Sequence, residues 1–138
     1  MNPVYQIDSC VLIAFFADEP GADKVSELFG TAERGECSLF MSKVNLLEIY
    51  AATWRKISQS SANDVLQRIL NSPIVIVDQV SDEVFQEAAR LKATHRISLA
   101  DSIALAEAKT RGAQLLTCDH HEFDAVEKVE QVSFCWIR

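Results

Sequence analysis

The apolar residues of this chain recur with two alternating spacings, one of strands and one of helices. Val4-Tyr5-Gln6-Ile7 is a short apolar run that predicts a strand, and Val11 to Phe16 behind it predicts a helix. Residues 21–34 form a second, more polar helical stretch, with Gly35 placed to end it. Leu39-Phe40-Met41 predicts the next strand, and Ser42 suits the cap of a helix running to about Ile57. An amphipathic helix over 60–70 is stopped by Asn71-Ser72-Pro73. Ile74-Val75-Ile76-Val77 has no polar face, which predicts a strand covered on both sides. Helices follow over about 81–95 and over Leu99–Arg111, the latter ending at Gly112. Gln114–Thr117 and Val132–Trp136 predict the last two strands.

Strands alternating with helices predict an α/β domain with a mostly parallel sheet between helical layers. The 138 residues, read as 1–138, make one such domain, with no repeat, low-complexity segment or linker. In sheets of this kind ligands bind beyond the carboxyl ends of the strands, so the polar residues at those ends carry the functional question.

Composition narrows the classes. Thirteen basic against 20 acidic side chains give a net charge of −7, which argues against holding nucleic acid by bulk charge. It leaves room for a small acidic site whose local sign a metal ion would reverse. The opening Met1-Asn2-Pro3-Val4-Tyr5 has no basic or apolar leader region, and the longest uncharged apolar stretch, Ser9 to Ala17, is too short to cross a bilayer. The expectation is a cytoplasmic protein with no membrane partner, whose scattered Cys10, Cys37, Cys118 and Cys135 are reduced thiols. With four glycines there is no dinucleotide fingerprint. Gly30 to Gly35 has Walker spacing, but Glu36-Cys37 stands where Lys-Ser/Thr is required.

Five acids lie where strands end or helices begin. Asp8 follows the first strand, Asp78 the run ending at Val77, and Asp119 the strand ending at Thr117. Glu48 is in the second turn after Ser42, and Asp101 in the first turn after Ser98. Each has an ordinary structural explanation. Asp8, Asp78 and Asp119 suit helix caps, Glu48 a solvated helix rim, and Asp101 a capping box with Ser98. Asp101 strains that explanation, because Ala104, Leu105 and Ala108 share its helical stripe and predict a partly buried carboxylate in need of a partner.

As an ordered set the motifs are more specific. Asp8-Ser9, Ser42 with Glu48, Ser98-Leu99-Ala100-Asp101-Ser102, and Leu115-Leu116-Thr117-Cys118-Asp119 with Phe123 close behind resemble the PIN-domain nuclease pattern along essentially the whole chain. Among PIN domains the chain looks most like the short toxins of VapBC-type toxin–antitoxin pairs. The resemblance implies a three-layer α/β/α fold and a Mg²⁺- or Mn²⁺-dependent endoribonuclease that acts on RNA. It also implies homodimers and a small antitoxin partner that blocks the acidic pocket. Asp8, Glu48, Asp101 and Asp119 match the metal-binding acids, and Thr117, with Ser9, the supporting hydroxyls. Three residues separate Asp119 from Phe123, where many members have two. His120-His121-Glu122 is not a general family feature, which leaves open whether Glu122 or Asp124 adds a ligand. Asp78 has no counterpart and is read as a cap.

Such a residue set suits phosphodiester hydrolysis. Divalent ions held by carboxylates neutralise the phosphate, activate water and stabilise the leaving oxygen. Mg²⁺ prefers a few open oxygen ligands, and without metal the acids repel, which predicts raised pKa values. Arg90 to Arg96 is the densest basic stretch, read as helix-end cations in preference to an RNA contact. Phe40, Tyr50 and Trp54 are read as core in preference to base-stacking residues. Cys118, His120 and His121 lack the second ligand pair of a structural zinc site. A receiver domain or a D-x-D phosphatase fails because Ser9-Cys10 follows Asp8. The remaining alternative is a PIN-like binding module with a weak or inactive site.

Overall fold

A computed structural model describes residues 1–138. Its strands are β1 (Val4–Ile7), β2 (Ser38–Ser42), β3 (Ile74–Val77), β4 (Gln114–Thr117) and β5 (Phe134–Trp136). They form one sheet in the order β3-β2-β1-β4-β5, with every neighbouring pair parallel. The connections carry α1 (Ser9–Phe16) and α2 (Ala22–Glu33), α3 (Lys43–Lys56) and α4 (Gln59–Leu70), α5 (Asp82–Thr94) and α6 (Leu99–Arg111), and α7 (His120–Glu127). Parallel neighbours need such crossovers, which is why each step between strands spends one or two helices.

The helices make two layers. On one face Val11, Leu12, Leu46, Ile49 and Ile69 of α1, α3 and α4 pack on Ile7, Leu39, Met41 and Ile74. On the other, Val84, Leu91, Leu105 and Phe123 of α5, α6 and α7 pack with Leu115. Side chains alternate along each strand, so Ile7 faces the first core while Gln6 faces α6. There the buried Gln6 amide donates to Glu107 Oε2 at 2.6 Å and accepts from Arg111 at 3.0 Å, so the polar atoms of the strand centre are paired. Helix α6 is buried without a break from Ala100 to Ala108, and its run of Ala and Ser lets it approach both the sheet and α5.

Several expectations change. β3 is an edge strand, and Val75 is 53% exposed. Val75 shares a face with Phe40, its register partner, and the α5–α6 layer reaches only as far as Arg111 over the Phe40 ring. Asp78 caps nothing. It pairs with Lys43 at 3.7 Å on the surface, and Ser81 caps α5 by accepting from Val84 N. Residues 120–122 open α7, whose buried side chains are Phe123 and Val126. Trp54 is exposed, edge-on to Tyr50, while Phe40 lies under Arg111. The basic stretch is tied into the fold: Arg90 and His95 both meet Glu130, and Lys92 donates to Ile97 O. No helix is long and apolar enough to cross a membrane.

The strand order fixes where a site can form. From β1 the chain steps through β2 to β3, then returns across the sheet to β4 and β5. The crossovers therefore diverge between β1 and β4, and a crevice opens beyond the carboxyl ends of those two strands. Asp8 and Asp119 stand just past those ends.

Candidate metal centre

Asp8 ends β1 as the N-cap of α1, with Oδ1 accepting from Ser9 N at 2.8 Å. Its Oδ2 accepts from the Thr117 hydroxyl at 2.9 Å and from the Cys10 thiol at 3.2 Å. Thr117, wholly buried at the end of β4, also accepts from Asp119 N at 3.1 Å, so one hydroxyl positions two acids. Asp119 caps α7 through Oδ1, which accepts from Glu122 N at 3.1 Å. The cap and metal-ligand explanations are thus compatible, because a carboxylate has about four lone-pair sites, of which the cap takes one: Asp119 keeps Oδ2 free and Asp8 a second lone pair on Oδ1. Asp101 enters from α6, where Ser98 Oγ accepts its N–H at 3.1 Å and the apolar stripe behind it keeps its side chain in the crevice.

Ligand oxygens of Asp8, Asp101 and Asp119 all lie within 4.8 Å of one another. None of the protein's ion pairs involves them. Burial, then the neighbouring Asp8, Asp119 and Glu122, pushes Asp101 up to about 8. Burial also lifts Asp8 well above the usual carboxylate range, against the pull of the Thr117 hydroxyl. Three oxygen-only donors, close together and without a cation, fit a hard divalent ion of the Mg²⁺ class.

Glu48 lies outside that group. Its Oε1 accepts from Ser9 Oγ at 2.8 Å and from Asn45 Nδ2 at 3.3 Å, which holds it beside the Asp8 end of the crevice.

The model of the family described as the PIN domain matches residues 5–129. The chain belongs to the PIN-domain family. PIN domains are nucleases, and the match covers all four acids and Thr117. No curated protein sequence matches the chain. Solved structures share the PIN fold at low identity. VapBC2 from Rickettsia felis, bound to a DNA fragment from its promoter, is 16% identical over 96% of this chain and 98% of that one, with a TM-score of 0.75. DNA-bound VapBC from Salmonella typhimurium is 13% identical over 100% of both chains, also with a TM-score of 0.75. The sarcin-ricin loop cleaving toxin VapC20 from Mycobacterium tuberculosis is 14% identical over 80% of this chain and 85% of that one, with a TM-score of 0.62.

Of the residues singled out in sequence, this PIN domain brings Asp8, Asp101, Asp119 and Thr117 into one cluster and sets Glu48 and Ser9 beside it as a hydrogen-bonded pair. Glu122 is near enough to raise the Asp101 pKa, whereas Asp124 turns away to His120 at 2.8 Å. Sequence reasoning missed Asn45 and Cys10. Asn45 lies one turn before Glu48 on α3, wholly buried, and its Oδ1 is the one buried side-chain oxygen without a partner. The i, i+3 spacing to Glu48 was the available signal. Nothing local to Cys10 announces that its thiol reaches both Asp8 and Thr117.

Proposed function

We propose that this PIN domain, taken as a single domain over 1–138, is a Mg²⁺- or Mn²⁺-dependent endoribonuclease and the toxin of a type II toxin–antitoxin pair. The observation that carries the reading is the trio of buried Asp8 and Asp101 with half-buried Asp119, which has no cationic side chain of its own. A divalent ion held there supplies charge neutralisation at the phosphate and an activated water. In this reading Asp8, Asp101 and Asp119 hold the ion, and Glu48 completes the acidic set from α3. Thr117 keeps Asp8 and Asp119 in register with each other, and Ser9 and Asn45 hold Glu48 against the crevice. Apolar α6 residues behind Asp101 exclude water from one side and strengthen the attraction of the trio for a cation.

RNA as the substrate class is supported by the similarity to the sarcin-ricin loop cleaving toxin, and an antitoxin partner by the VapBC complexes that share this fold. A homodimer is part of the same reading. The test is cleavage of a mixed cellular RNA pool by purified protein with Mn²⁺, Mg²⁺ or EDTA, alongside Asp8→Asn and Asp101→Asn. Metal-dependent cutting that both substitutions abolish is the expected result. A protein that binds metal and RNA without cutting the RNA would instead be a binding module.

A further inference from the structure

His120 follows Asp119 directly and opens α7. Its imidazole lies 3.9 Å from the Trp136 indole at an interplanar angle of 9°, and Trp136 in turn stacks on Phe134 at 5.5 Å and 13°. Both ring nitrogens are engaged, Nδ1 with Asp124 Oδ1 at 2.8 Å and Nε2 with the main-chain oxygen of Arg138 at 2.9 Å. One face and both polar edges are therefore occupied, yet the side chain remains 50% exposed. With that face and both nitrogens taken, the opposite face is what the ring has left to present to solvent. The support is fixed as well: Trp136 Nε1 donates to Glu127 at 3.1 Å, and Lys24 donates to Trp136 O at 2.9 Å. Arg138 donates to Glu19 at 3.1 Å and to the Pro20 carbonyl at 3.2 Å.

A flat ring clamped on three sides and open on the fourth is the geometry that single-stranded nucleic acid binders use to seat a base. Stacking tolerates any base and needs no positive charge, which suits a chain of net charge −7. Consecutive Cα atoms are about 3.8 Å apart, so a base on His120 lies within a nucleotide or two of a phosphate at Asp119.

We propose that the open face of His120, backed by Trp136, is a stacking platform for a nucleobase of single-stranded RNA and positions the strand beside Asp119. This rests on the ribonuclease reading above. Neither His120 nor Trp136 belongs to the motifs that carry the family resemblance.

The test compares binding of a short oligoadenylate with that of an equally long abasic strand, by fluorescence anisotropy in Ca²⁺. Wild type is expected to prefer the adenylate by about 5-fold or more. His120→Ala should erase that preference and leave abasic binding unchanged, whereas His120→Phe, which keeps a flat face without ring nitrogens, should retain it. A merely structural histidine would weaken both strands alike, and Trp136→Leu, checked by its melting curve, tests the support independently. No preference in wild type, or a preference that survives His120→Ala, overturns the proposal. RNA cleavage is scored separately. Intact metal-dependent cleavage without adenylate preference removes the platform alone, while preference without cleavage removes the nuclease reading and leaves a stacking site.

Discussion

Asp101 is buried and Glu130 half-buried, and the fold displaces the two carboxylates in opposite directions. Glu130 meets Arg90 at 2.6 Å, His95 at 2.7 Å and Lys109 at 3.7 Å. The Arg90 hydrogen bond, followed by that of His95, holds it down to about 2 despite its burial. Asp101 has Asp8, Asp119 and Glu122 for neighbours and is pushed up to about 8. Desolvation opposes charge at both places. At Glu130 it is offset within the chain, and the result ties α5 to the segment after α7. At Asp101 it is left standing, and that supports the proposal of a metal site in the crevice beyond β1 and β4.

The comparison breaks most visibly under neutralising substitutions. Asp8→Asn and Asp101→Asn are each expected to lower metal-dependent RNA cleavage by more than about a hundredfold, because each takes the negative charge and one oxygen from a carboxylate proposed to hold the ion. Glu130→Gln should leave cleavage within about twofold of wild type under the same assay. A parallel loss in all three variants would erase the distinction between the two acids.

Thr117→Val comes next in size. It removes the hydroxyl that serves Asp8 and Asp119 while keeping the side-chain volume, and a loss of roughly 10- to 100-fold in Mn²⁺ affinity is expected by calorimetry. Unchanged affinity would mean that the two acids hold their geometry without it. On stability the order reverses. Glu130→Gln should cost roughly 1–3 kcal/mol in denaturant unfolding, towards the lower end because Arg90 is half in solvent. Metal-free Asp101→Asn should be at least as stable as wild type at pH 8, since the uncompensated charge is gone.

The melting temperature should also depend on pH. Asp101 is raised, so its contribution to stability is full below the ordinary carboxylate pKa of about 4 and is lost as pH rises through about 8. Across that window the folded state holds a proton that the unfolded state has released, and the metal-free protein should melt lower at pH 8.5 than at pH 6. Glu130 is depressed, so its contribution is present above about 4 and fades as pH falls through about 2. Asp101→Asn should flatten the alkaline limb only and Glu130→Gln the acid limb only. Crossed effects would show that the shifts are misassigned.

Much of this was legible along the chain. Leu99–Arg111, Gln114–Thr117 and Ile74–Val77 appear with the expected bounds, because Ser98 caps, Gly112 ends its helix in a left-handed conformation and the apolar runs are unambiguous. Asp101 was legible as buried because its stripe of small residues leaves it no solvent. Strand order was not, and Val75 shows the consequence: nothing within Ile74–Val77 says that the strand lies at an edge. Helix α7 was signalled only by its cap, Asp119, and its extent escaped because two buried side chains among eight make a weak period. The pairing of Glu48 with Ser9, and of Thr117 with two acids, depends on strand ends brought together by the sheet.

The most direct test of the central claim is titration of Mn²⁺ into the metal-free protein at neutral pH, in buffers of different ionisation enthalpy. A metal that claims Asp101 must displace the proton that burial keeps on it at neutral pH. The account predicts binding with release of about one proton or more, and loss of both in Asp101→Asn. Binding without proton release, unchanged in Asp101→Asn, would place the ion elsewhere and contradict it.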